Sequence, residues 1–132
     1  MDKKTETVTY EVSILREEVI HNLKTSLEQF SRHEIDGLRL WTGAVNAWNK
    51  AIKNEGLLGK MEEEIVKRER ALYYITGIPE KSDDEKKVAS PVRQRLNPNY
   101  WLAHVPEELK YKEEVYILDK IKSLRTFFEA LR

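Results

Sequence analysis

The sequence predicts an all-α protein: a helical bundle of about four long helices, with a long N-terminal helical arm and a proline-containing crossover. Three observations predict it. Apolar residues recur at steps of three and four over most of the chain, the four prolines fall between or at the edges of those stretches, and one short segment alone alternates as a strand would. A chain of 132 residues can bury roughly two-thirds of its unfolded surface in one core. Residues 1–132 are therefore read as a single helical domain, with the arm over 1–56 and a compact helical part over 57–132.

Val12, Leu15, Val19, Leu23, Leu27 and Phe30 set a first helix over about residues 11–30. Thr7 to Ile14 alternate apolar with polar and are rich in β-formers, a strand signal taken alone. The helical period that follows favours a helix that begins earlier and absorbs them. Ser31 with Glu34 has the Ser-x-x-Glu form of a capping box and predicts the start of a second helix. Its apolar stripe is Ile35, Leu38, Trp41, Val45, Trp48 and Ile52, and Leu40, Ala44, Ala47 and Ala51 form a second side suited to close helix contact. Both sides are expected to be buried. Gly56 and Gly59 punctuate the chain, Leu58, Met61, Ile65, Leu72 and Ile75 mark a third helix, and Gly77 and Pro79 end it.

Residues 80–105 form the irregular crossover. Ser82 with Glu85, Ser90 before Pro91, and Asn97 before Pro98 each have the form of a short helix start. Pro106 is expected to open the last helix, carried by Leu109, Val115, Leu118, Ile121, Leu124, Phe128 and Leu131.

Composition removes several functional classes. Lys+Arg and Asp+Glu balance at 23 each, so any nucleic-acid or membrane contact must come from a local patch. There is no apolar run long enough for a membrane span, and Met1 to Glu6 is too polar for a signal peptide. A virion or cytoplasmic location is expected. Without cysteine, and with His21, His33 and His104 dispersed, no disulfide, thiol nucleophile or zinc centre is expected. The missing cysteine, the scarce glutamine (Gln29 and Gln94) and the dominance of Glu and Lys fit a heat-adapted protein as well as an ordinary Glu/Lys-rich helical one.

No enzymatic constellation stands out and no cofactor is expected. Glu62, Glu63 and Glu64 precede Lys67 and Arg68 as i,i+4 charge pairs on a solvated helix face, and there is no Glu-x-x-His pair for a di-metal bundle. Arg16 and His21 stand in the Arg-x4-His spacing, which resembles the motif of HEPN ribonucleases, helical proteins whose paired subunits bring such residues to an RNA backbone. That family carries it on a late helix. On this first helix the favoured reading is a solvated Arg16 and a surface or interhelix His21.

The window from Lys86 to Pro106 holds Lys86, Lys87, Arg93, Arg95 and His104 without an acidic residue, beside Tyr100 and Trp101. Basic side chains interleaved with aromatics suit phosphate contact and base stacking. The competing reading is that the aromatics plug the open end of the bundle. Adjacent bulky residues, Leu40 with Trp41, Tyr73 with Tyr74, Tyr116 with Ile117 and Phe127 with Phe128, lie about 100° apart on a helix. Some are therefore expected to meet another chain, and Trp41, Trp48, Tyr73, Tyr74, Tyr100, Trp101 and Phe127 are the candidate interface.

In layout, an all-helical chain with an N-terminal arm over about 11–54, broken near Ser31, and a compact part from Leu57 to Arg132, it resembles the major coat proteins of filamentous DNA viruses that infect hyperthermophilic archaea. The resemblance implies a subunit packing with copies of itself or a related subunit around double-stranded DNA, with Lys24, Arg32, Arg39, Lys50 and Lys53 as phosphate contacts. The alternatives are a small helical nucleic-acid-binding regulator, of ribbon-helix-helix type if 7–14 is a strand, a HEPN-like ribonuclease, or a protein-binding inhibitor or adaptor.

Overall fold

The spacing of Val12, Val19, Leu23 and Leu27 puts one apolar stripe along the first helix, and in the computed structural model that stripe is buried along its length. The structure describes residues 3–76 and 91–131. The helices are α1 (Lys3–Ser31), α2 (Gly37–Ile52), α3 (Glu55–Thr76), α4 (Pro91–Leu96), α5 (Pro98–Trp101) and α6 (Glu113–Ala130), with 3-10 turns at Leu102–His104 and Glu107–Leu109. All regular structure among the described residues is helical, and residues 7–14 lie within α1.

Ser31 does not begin the second helix. It sits in the last turn of α1, where its hydroxyl donates to the Glu28 carbonyl at 2.7 Å. The amide of His33 donates to Phe30 O and that of Glu34 to Gln29 O, a Schellman cap with His33 in its left-handed position at φ 60°. With the Glu34 amide bonded backwards into α1, the expected capping box has no donor. The cap of α2 is Asp36, whose carboxylate accepts from the amide of Arg39 at 2.9 Å.

His33 supports a direct test. A left-handed conformation costs an L-residue about 1–2 kcal/mol, of which glycine's greater freedom in the unfolded chain offsets about 0.5–1 kcal/mol. His33→Gly is expected to raise stability by about 0.5–1 kcal/mol and the melting temperature by a few degrees. A fall in melting temperature would mean that the imidazole stabilises the turn by some other route.

The α1–α2 hairpin closes tightly because α2 offers small residues to α1. Leu40, Ala44, Ala47 and Ala51 are buried, and a Cβ on Gly43 would lie 2.8 Å from the Ser26 hydroxyl. Of the two apolar sides expected to be buried, this one is. Of the other, Trp48 is buried, Trp41 packs partly against the core and Leu38 is 62% exposed. The second side is covered only where a neighbouring element meets it.

α6 runs antiparallel to α1. Its start lies at the α1–α2 turn, where a Cβ on Gly37 would stand 2.7 Å from Glu114 Cγ, and its end lies beside Arg16. Ile117, Ile121, Leu124, Phe127, Phe128 and Leu131 enter the same core as the α1 stripe and Leu57, Met61 and Ile65 of α3. The stretch expected as an arm thus has its apolar faces in the core shared with α6. Pro106 opens a 3-10 turn rather than the last helix, and α6 begins seven residues later, at Glu113.

The crossover is anchored by indoles. Asn97 caps α5 by accepting from the Asn99 amide, and Pro98 takes the first helical position, as that pair predicts. The Trp101 indole, enclosed in the core, donates to Arg95 O at 2.8 Å, and that of Trp41 donates to Pro98 O at 2.6 Å. The Trp101 ring is buried and the Trp41 ring half-buried, and neither orphans its N–H. Ser82 and its expected turn lie outside the described residues.

Candidate interaction surfaces

Helix periodicity places large side chains on every flank of these helices, and folding encloses some of the candidate interface residues but not others. Phe127 and Phe128 are both 0% exposed, with rings edge to face at 5.6 Å. The expectation that two adjacent aromatics could not both be enclosed fails here, because α1, α2 and α3 all pack against α6 and cover a wide arc of it. Trp48 and Trp101 are likewise core residues, and Trp41 and Tyr100 are half-buried. Tyr74 stands in the open at 90% exposure. The side chain of Tyr73 lies outside the described residues.

Large side chains outside the candidate interface set, some of them expected on buried stripes, are left outside. Tyr10 and Ile14, one turn apart on α1, are exposed, as are Ile52 at the end of α2, Val66 and Leu72 on α3, Leu102 after α5, and Tyr111 and Val115 around the start of α6. They group by position. Lys50 on α2 reaches Glu18 on α1 at 2.8 Å, so Ile52 lies at the end of the hairpin that carries Tyr10 and Ile14. Leu38 follows Gly37, which abuts Glu114, so Leu38, Tyr111 and Val115 share the opposite end. At 1.5 Å rise per residue the 14 positions from Leu38 to Ile52 span about 21 Å. Ser13, Ile14, Glu17, Glu18 and His21 line a shallow cleft at the first end, and Phe30, His33, Glu34, Ile35, Asp36, Arg39 and Glu114 line one at the second.

The expected phosphate contacts do not form one group. Lys50 is bonded to Glu18, Lys24 stands 3.9 Å from Glu129, and Arg93 is bonded to Glu62 at 2.5 Å. Arg32, Arg39 and Lys53 are exposed. Lys86 and Lys87 lie outside the described residues. Arg95 is exposed on α4, and its charge acts on the phenol of Tyr116 across the α4–α6 contact. Burial pushes that phenol above its ordinary value, with Arg95 pulling the other way. On α6 the ammonium of Lys120, one turn on, lies 5.4 Å from the centre of the same ring. His104 stacks on Tyr100 with ring centres 3.4 Å apart.

Arg16 is half-buried and bonded to the chain rather than free in solvent. Its Nε donates to Phe128 O at 2.9 Å and its Nη2 to Glu129 O at 2.7 Å, so it caps the carbonyl end of α6, with Glu17 on its remaining nitrogen. His21 is exposed, and none of the Arg16 hydrogen bonds goes to it. The Arg-x4-His pair is therefore split between a half-buried helix cap and a surface ring. The Glu64–Arg68 pair forms as spaced, at 3.4 Å, and Arg68 also lies over the Phe127 ring at 5.3 Å.

Among the described residues no group of three His, Asp or Glu side chains could hold a metal ion, and no helix is long and apolar enough to cross a membrane. No protein-family model, curated protein or solved structure matches the chain.

Proposed function

We propose that this protein is a non-enzymatic assembly subunit that packs head to tail with copies of itself around double-stranded DNA, as a virion coat subunit does. One observation carries the reading: large apolar and aromatic side chains lie open at two opposite ends of the α1–α2 hairpin, Tyr10, Ile14 and Ile52 at one and Leu38, Tyr111 and Val115 at the other. Two different patches on one subunit suit a heterologous contact, which propagates into a ring or filament, whereas a single self-complementary patch would close as a dimer. In this reading α1, α2, α3 and α6 are the four long helices of the bundle, α4 and α5 belong to the crossover, and the hairpin is the arm. Its inner faces stay on α6. Its outer face, with Arg32, Arg39 and Lys53, meets the duplex.

Sedimentation at rising protein concentration, with and without duplex DNA, tests it. The wild type is expected to form an open-ended series of species. Tyr10→Glu with Ile14→Glu, and separately Leu38→Glu with Tyr111→Glu, should each give a monomer, and the two variants mixed should give a dimer through their intact ends. A wild type that stays monomeric under all conditions, or that stops at a closed dimer, would overturn the reading.

A further inference from the structure

We infer that Arg95, Tyr116 and Lys120 form a contact for the sugar-phosphate backbone of duplex DNA, at a place the N-terminal phosphate contacts do not reach. The inference rests on the assembly reading only in taking a polynucleotide as the partner.

Three observations carry it. Arg95 and Lys120 have no carboxylate partner among the described residues, whereas Lys24, Lys50 and Arg93 each face a Glu. These two cations come from different helices that pack on each other: Lys120 sits 5.4 Å from the centre of the Tyr116 ring on α6, and Arg95, on α4 against that helix, is near enough for its charge to act on the same phenol. Finally, α4 belongs to a stretch, residues 86–106, without a single Asp or Glu. Glu113, Glu114 and Asp119 lie within three residues of Tyr116 on α6, and among the described residues none of them forms an ion pair with Arg95 or Lys120.

The half-buried ring with an ammonium over it is a poor stacking platform for a base, which would have to displace that ammonium. Its role is to hold two cations apart by a fixed spacer, and its hydroxyl is a donor for a phosphate oxygen. That arrangement reads backbone rather than bases, so the contact is indifferent to sequence.

The test is binding of a random-sequence DNA duplex by the full chain across a salt series. Each phosphate neutralised contributes about 0.9 to the slope of log K against log salt. Arg95→Gln and Lys120→Gln are each expected to lower the slope by about one and the double variant by about two, while Lys24→Gln with Lys50→Gln leaves it nearly unchanged. Lys120→Arg should keep the wild-type slope, which separates loss of charge from damage to the fold. An unchanged slope in the double variant overturns the inference, as does a wild type that binds no duplex at low salt. A protein that polymerises yet fails this test loses the DNA contact and keeps the assembly reading. A monomer that binds duplex with these slopes loses assembly and keeps the contact.

Discussion

Phe127→Ala is expected to lower the stability of the folded chain by about 3–5 kcal/mol, the usual loss when an enclosed phenyl ring is removed and its cavity is not refilled. The ring has no exposed surface, meets Phe128 edge to face and lies under the guanidinium of Arg68. A domain of this size is stable by only about 5–15 kcal/mol, so the variant should sit at or near the edge of unfolding at ordinary temperature. Urea denaturation measures it. The loss should be the same at every protein concentration, because the ring is enclosed by its own chain. A loss that grew with concentration would instead return Phe127 to an interface.

Arg16→Met is expected to cost about 2–4 kcal/mol. It removes two charge-assisted hydrogen bonds, each of a kind that contributes about 1.5–3 kcal/mol, from carbonyls at the end of α6. The Phe128 carbonyl keeps the Leu131 amide at 3.2 Å, which tempers the loss, while Glu129 O is left to water. Arg16→Lys should recover little, since a single ammonium cannot match a planar fork that spans two carbonyls. His21→Ala, at an exposed site with no hydrogen bond to Arg16, should stay within about 0.5 kcal/mol of the wild type. RNA cleavage that disappeared in His21→Ala would assign this pair to chemistry instead.

Much of the fold was legible from residue spacing. The stripe Val12, Val19, Leu23, Leu27 and the run Ile121, Leu124, Phe128, Leu131 are buried as their periods predict, and Asn97-Pro98 opens a short helix. Boundaries were harder. Ser31 and Glu34 have the letters of a capping box, yet the same Glu34 amide can close a Schellman turn, and the chain takes that option with His33 in the left-handed position. Either arrangement gives the Glu34 amide an acceptor, the Ser31 hydroxyl in a capping box or the Gln29 carbonyl in a Schellman turn, so local pattern does not choose between them. Pro106 carries a similar ambiguity: a proline that can start a helix can equally start a 3-10 turn, and here it does the second.

The candidate surfaces were less legible than the core. Trp48, Trp101 and Phe127 look like interface residues by type and are core, while Val115, on the apolar stripe of the last helix, and Tyr10 and Tyr111, on no stripe, are exposed. Tyr116 and Lys120 were separated by one helical turn and so were readable as neighbours, but Arg95 joins them only through the packing of α4 on α6. Likewise, nothing in the Arg16 neighbourhood announces that its partners lie 112 and 113 residues away.

The sequence by itself determined that this chain is helical, where most of its long helices run and which residues are apolar enough to be buried, because these are properties of a helix's own period. Only the tertiary structure decided which of two apolar sides of α2 is covered, that Arg16 closes α6, and which tyrosines are left outside. Whether a side chain is enclosed depends on the surface that arrives opposite it, and that surface comes from elsewhere in the chain.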